Sequence, residues 1–300
     1  MESDTTGRKI VPASILIAAA LIVFAVLSAP PPAADGDKGT PVHAATSFAL
    51  PFTFGDLGAK LVSVGVVDRE AFLSLYSGTA REAARRFLDG SGDEEITVTE
   101  ENAGILLNLL WAAGLGNKSR ILEQGEMMDP RYGGAHQFAS TGGWTIARSN
   151  PETDSLGIAQ GSPMEHYSRH PFALLTPEQE HMVDDVSRNM FRPCCDNSVH
   201  FPDCNHGMAM LGVLALMASE GKTEAELYEA GLAFNRMWFP EQYEIIETYA
   251  AQEGLPLDGK TLLGKTFASA SGFQRVSRAL TAPTTPKGNG GGGEGGGCSV

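Results

Sequence analysis

The chain has 300 residues, 36 acidic against 22 basic side chains, a formal net charge of −14 and only four cysteines. That negative excess, with no Lys/Arg cluster set against it, repels phosphate backbones and excludes nucleic acid as a partner. A core of this length buries roughly three-fifths or more of the surface its unfolded chain exposes, so disulfides are not needed merely to hold it together.

Residues 1–9 are expected to be a cytoplasmic N-terminus ending in Arg8 and Lys9. Ile10 to Ala29 then runs for twenty residues without a charge. That length suits one transmembrane helix, and the basic flank places the rest of the chain on the extracytoplasmic side of the cell membrane. The rival reading is a cleaved signal peptide, although Pro30 directly after Leu27-Ser28-Ala29 obstructs the natural cut. Residues 30–46 have the Pro/Ala/Gly composition of a spacer. Residues 281–300 read as a flexible Gly-rich tail carrying Cys298, followed by two residues where a prenylation signal needs three.

Between residues 47 and 280 the punctuation is that of one all-α exported domain. Asp68 caps a predicted helix "REAFLSLY", and a short one is predicted from Thr79 to Leu88. Thr99 caps "EENAGILLNLLWAAGLG", which stops at glycine and Asn117. "EITVT" is the one modest strand signal. Residues 125–170 are rich in Gly, Ser and Asn but include Trp144, so they are expected to be a long loop ordered against the bundle. Thr176-Pro177-Glu178-Gln179 is a capping box that opens a helix to about Phe191, and Thr223 with Glu226 forms another. Further helices are predicted over Pro240–Glu253 and Gly272–Leu280. Gly207 to Ala218 is apolar throughout, which predicts a central helix at about 205–219, buried on all sides. Asp203 is the predicted N-cap of that helix, with Pro202 fixing the approach.

Residues 192–212, "RPCCDNSVHFPDCNHGMAMLG", hold three of the four cysteines. If the chain doubles back between Pro193 and His206, Cys194, Cys195, Cys204 and His206 meet at the start of the central helix. There, free N–H groups and the helix dipole favour the thiolate of Cys204. Three readings compete. Three thiolates and an imidazole suit zinc, and thiolates with thioethers suit copper(I), with His200, Met208 and Met210 as further ligands. Vicinal cysteines are strained in sharing one ion. Alternatively, an exported protein in an oxidising compartment can use the same cysteines for thiol-disulfide chemistry, with Cys204 as the activated thiolate and Cys298 on a mobile arm. The third reading is a structural disulfide in a non-catalytic interaction module, which leaves an unusual surplus of free thiols.

Met164, His166 and His170 read as loop residues, and His181 near Asp184 and Asp185 as part of a solvated face. Met127 and Met128 read as gap-fillers. Asn102 and Asn108 interrupt an apolar stripe, so each buried amide needs a partner. No Gly-x-Ser-x-Gly elbow, phosphate-cradling glycine loop, His-Glu-x-x-His or Cys-x-x-Cys-His motif is present, so no enzyme class is assigned. The expected partners are the membrane and a neighbouring membrane or metal-handling protein.

Overall fold

The computed structural model describes residues 47–90, 95–140 and 157–281. The segment Ile10–Ala29, the spacer, Trp144 and the tail with Cys298 lie outside them. Among the described residues no helix is long and apolar enough to cross a membrane.

The described chain is mostly helical. A short strand β1 (Ser47–Ala49) is followed by α1 (Leu57–Ser63), α2 (Arg69–Ser74) and α3 (Gly78–Asp89). Strand β2 (Thr97–Thr99) leads directly into α4 (Glu100–Gly116), then α5 (Arg120–Gln124) and α6 (Ala135–Ser140). After the loop come α7 (Pro177–Asn189), α8 (Asn205–Ser219), α9 (Glu224–Trp238) and α10 (Pro240–Gln252), and finally α11 (Gly259–Leu262), α12 (Lys265–Ala268) and α13 (Ala270–Thr281). β1 and β2 pair antiparallel, Phe48 opposite Val98. The strand signal at "EITVT" is therefore real, while its three-residue partner was too short to show alternation.

The caps act as their side chains dictate. Asp68 accepts from the N–H of Ala71, Thr176 from Gln179 and Thr223 from Glu226. Each satisfies a donor that a helix start leaves without an intrahelical partner. Asn102 accepts from the N–H of Thr99, and Asn108 donates to the hydroxyl of Tyr76, so both interrupting amides are met.

α4 and α8 form the centre. Leu106, Leu109, Leu110 and Trp111 on one helix, and Met208, Val213 and Leu214 on the other, are fully buried. The two backbones touch. A Cβ added to Gly114 would stand 2.1 Å from the carbonyl oxygen of Met208, and one on Gly212 would stand 2.5 Å from that of Leu110. Only glycine lets helices approach this closely. α8 begins and ends where the apolar run places it, but its cap differs from expectation: Cys204, not Asp203, is the N-cap, accepting from the N–H of Gly207 at 3.4 Å. Asp203 instead binds Arg192.

Within residues 125–170 the described parts are ordered by short 3₁₀ turns at Glu126–Met128, Pro130–Tyr132 and Pro163–Glu165. His170 forms a backbone bridge with Asn117 at the end of α4.

Candidate metal centre

The segment between α7 and α8 doubles back on itself. The N–H of Val199 donates to the carbonyl of Met190 at 2.9 Å, and that of His200 to Ser187 at 3.0 Å. On the outgoing side Phe191 is tied to α11 and α9, its N–H donating to Leu263 and its carbonyl accepting from Asn235. The Ala270 N–H donates to the Cys195 carbonyl, and the Ser271 N–H to the Asp196 carboxylate, which anchors the outer side of the loop to the start of α13. Pro193 and Cys194 form a tight turn, which aims both vicinal cysteines toward the start of α8.

The result is a three-sulfur cluster. The sulfurs of Cys194, Cys195 and Cys204 all lie within 4.8 Å of one another, and those of Cys194 and Cys204 are 3.5 Å apart. All three are free thiols, Cys194 exposed and the others half-buried. A metal ion with bonds of 2.3 Å to three thiolates needs sulfurs about 3.8 to 4.0 Å apart, and a disulfide needs about 2.05 Å. The cluster can therefore bind a metal ion with small adjustments, or close a disulfide after a larger one.

The organiser is Arg192. Its side chain is 2% exposed. Its Nε donates to the Cys204 sulfur at 3.2 Å and its Nη2 to Asp203 at 2.6 Å, while the carbonyls of Asn197 and Phe201 accept from Nη1 and Nη2 at 2.7 and 3.3 Å. Asn197 donates to the second oxygen of Asp203 at 2.8 Å, and the Cys195 thiol lies 3.7 Å from the first. A buried guanidinium is permanently charged and must find negative partners. Here they are Asp203 and the sulfurs. Nothing in a single arginine ahead of a proline marks it in the sequence as buried.

Electrostatics divide the thiols. Hydrogen bonds from Cys194 and then Cys195, with the Arg192 charge and His206 adding, hold Cys204 well below the usual thiol range despite burial. Cys194 is pushed up because it is the donor toward Cys195 and Cys204, with burial and the neighbouring negative charge adding. Cys195 is also pushed up, the Cys194 hydrogen bond opposing but outweighed by donation toward Cys204 and by burial. Burial works against the charge on Arg192, but Cys204, Cys195 and Asp203 more than offset it. The carboxyl of Asp203 is raised by burial, with Arg192 opposing.

His206 is half-buried beside this cluster. Its ring lies against Phe239 at 4.6 Å and Trp238 at 5.6 Å, and it interacts with Cys204, although the group of mutually close donor atoms comprises the three sulfurs. His200 stands elsewhere, paired through Nε2 with Asp184 of α7 at 2.9 Å. Met208 and Met210 are buried core residues of α8. His166 and His170 meet each other, Nδ1 to Nε2 at 3.2 Å, and not the cysteines. His181 pairs with Asp185 on the exposed face of α7, as a solvated face implies. Comparison with protein-family models, with curated proteins and with solved structures returns no match for this chain.

Proposed function

We propose that this is a membrane-anchored, exported protein that binds a soft metal ion, copper(I) or zinc, through Cys194, Cys195 and Cys204, with His206 as fourth donor. The observation that carries the reading is the convergence of three sulfurs within 4.8 Å over the N-terminus of α8. Thiolates select soft ions, and Arg192 and the Gly207 N–H offset the charge that three thiolates accumulate. The charge-free run Ile10–Ala29 behind Arg8 and Lys9 supports the anchor, and the proposed partner is a neighbouring membrane or metal-handling protein.

The separation of 3.5 Å between Cys194 and Cys204, with only Cys204 activated, favours a second reading. In it the Cys204 thiolate attacks a substrate disulfide and Cys194 resolves the mixed disulfide, leaving the substrate reduced and the pair oxidised. Elemental analysis and a thiol count on denatured full-length protein, purified without chelator, separate the two. One metal ion per chain with every thiol reduced is the expected result. Absence of metal together with a Cys194–Cys204 bridge overturns the metal reading, and alkylation of Cys204 in the reduced protein at mildly acidic pH then separates thiol exchange from a structural disulfide.

A further inference from the structure

The turn over residues 163–172 is stitched to the end of α4. The N–H groups of Ser168, Arg169 and His170 donate to the carbonyls of Leu115, Gly116 and Gly116 at 2.8, 3.0 and 2.8 Å, and the Lys118 N–H donates to the His170 carbonyl at 2.8 Å. Just ahead of the turn, the Gln160 N–H donates to the carbonyl of Gly65 in the loop between α1 and α2 at 2.9 Å. Ser168 stands at the middle of the turn with a φ of 54°. A residue with a Cβ holds that left-handed conformation only where its surroundings fix it.

Two half-buried imidazoles meet within this turn, His166 Nδ1 and His170 Nε2 lying 3.2 Å apart. A backbone carbonyl can only accept, so His166 Nε2, 3.1 Å from the Gln160 oxygen, carries a hydrogen. In the uncharged pair that leaves a lone pair on His166 Nδ1, to which His170 Nε2 donates. One added proton costs neither bond, because His170 can take it on its other ring nitrogen. A second has nowhere to go but His166 Nδ1. Two cations would then point N–H groups at each other with no acceptor between them.

The groups packed around the rings do not relieve that conflict. A Cβ on Gly65 would stand 3.3 Å from the His166 ring and one on Gly116 3.5 Å from that of His170, while Phe172 stacks on His170 with centroids 5.4 Å apart. The carboxylates on the surrounding elements are engaged elsewhere: Glu123 with Lys118, Asp68 as the cap of α2, and Glu165 turned toward Gly161. Burial, then His166 and Arg169, hold His170 below the ordinary imidazole range.

We propose that His166 and His170 form a proton-operated latch, independent of the cysteine cluster: neutral or singly charged, they hold the 163–172 turn on the end of α4, and the second proton opens it. Opening also frees Ser168 from its left-handed conformation. Because the closed turn resists a proton that the open one accepts, the latch is at full strength above the ordinary imidazole value, about 6.5, and weakens as pH falls below it.

Amide hydrogen exchange on the full-length chain at pH of about 7.5 and 5, each rate divided by that of the unstructured peptide, reads the latch. Protection of the Ser168, Arg169 and His170 amides is expected to fall about tenfold or more at the lower pH, the reach of one proton taken up on opening. Leu110 in α4 and Leu214 in α8 should keep theirs. His170→Gln keeps an N–H toward His166, and His166→Asn keeps an acceptor toward His170, but neither pair can carry two charges. Both variants, or whichever of them folds, should show no acid-induced loss. Unchanged wild-type protection at the lower pH, an equal fall in a folded variant, or a fall that takes Leu110 and Leu214 with it would overturn the proposal.

Discussion

At the scale of single residues, Arg192 decides the state of the cysteine site. It is a buried charge whose partners are another charge, a thiolate and two carbonyls. Arg192→Met leaves Asp203 half-buried without its cation and strips a donor from Cys204. Breaking one side of a buried pair costs about 3–5 kcal/mol, so a large fall in the urea midpoint is expected, and the pH at which Cys204 becomes alkylable should rise. Arg192→Lys keeps the charge but not the fork and should fall between. The sign of the pH dependence follows from the same contacts. Cys204 has a folded pKa below its unfolded value, so its stabilisation is full above the unfolded thiol pKa, about 8.5, and fades as pH falls toward the folded value. Metal-free wild type should therefore gain stability relative to Cys204→Ser as pH rises from 6 to about 8.5. An equal dependence of stability on pH for the two proteins, measured by denaturant titration at each pH, would show that Cys204 is an ordinary thiol. The cysteine convergence was legible because soft side chains crowd one short segment ahead of an apolar run. Arg192 was not, because nothing in a lone arginine before a proline says that it points inward. Asp203 was misassigned for a related reason: it has the chemistry of a cap, but the buried guanidinium claims it and leaves the cap to Cys204.

At the scale of elements, α4 and α8 show how a glycine can serve either the fold or the site. Gly212 faces the backbone of α4 with no room for a Cβ, whereas a Cβ on Gly207 would meet the Arg192 guanidinium at 2.5 Å. Backbone cannot move aside as a side-chain tip can. Gly212→Ala should therefore push the helices apart at a cost of about 1–3 kcal/mol or more, read as a lower urea midpoint with an unchanged slope. Gly207→Ala should lower the midpoint less but displace Arg192, raising the pH of Cys204 alkylation and weakening metal binding. If Gly207→Ala left the alkylation profile in place, the guanidinium would add nothing to the hydrogen bonds from Cys194 and Cys195 that hold the thiol down. The helices themselves were readable from capping boxes and apolar runs, because these are local signals. The partner strand β1, the short helices α11 and α12 and the meeting of His166 with His170 were not. Each depends on what the rest of the chain brings alongside it.

At the scale of the whole molecule, the arrangement separates folding from the proposed metal binding. The sulfurs are positioned by a loop tied to α9, α11 and α13 and by the Arg192 network, all attached to a large apolar core. Small metal-dependent domains behave differently: they lack such a core and unfold when the metal leaves. Here the metal-free chain should keep its helical circular dichroism after chelation. The ion would still stabilise it by mass action, by about 2.7 kcal/mol at a free concentration one hundred times the Kd. Urea unfolding followed with added zinc or copper(I), and again with a chelator, measures both quantities on one sample. A rise in the midpoint with metal, absent in Cys204→Ser, is the expected outcome, because Cys204 is the sulfur already held as a thiolate. Collapse of the helical signal on chelation would mean that the metal, not the α4–α8 core, holds the fold together. An unchanged midpoint would count against a metal site formed by the folded chain, since a ligand that binds the folded chain in preference to the unfolded one must stabilise it.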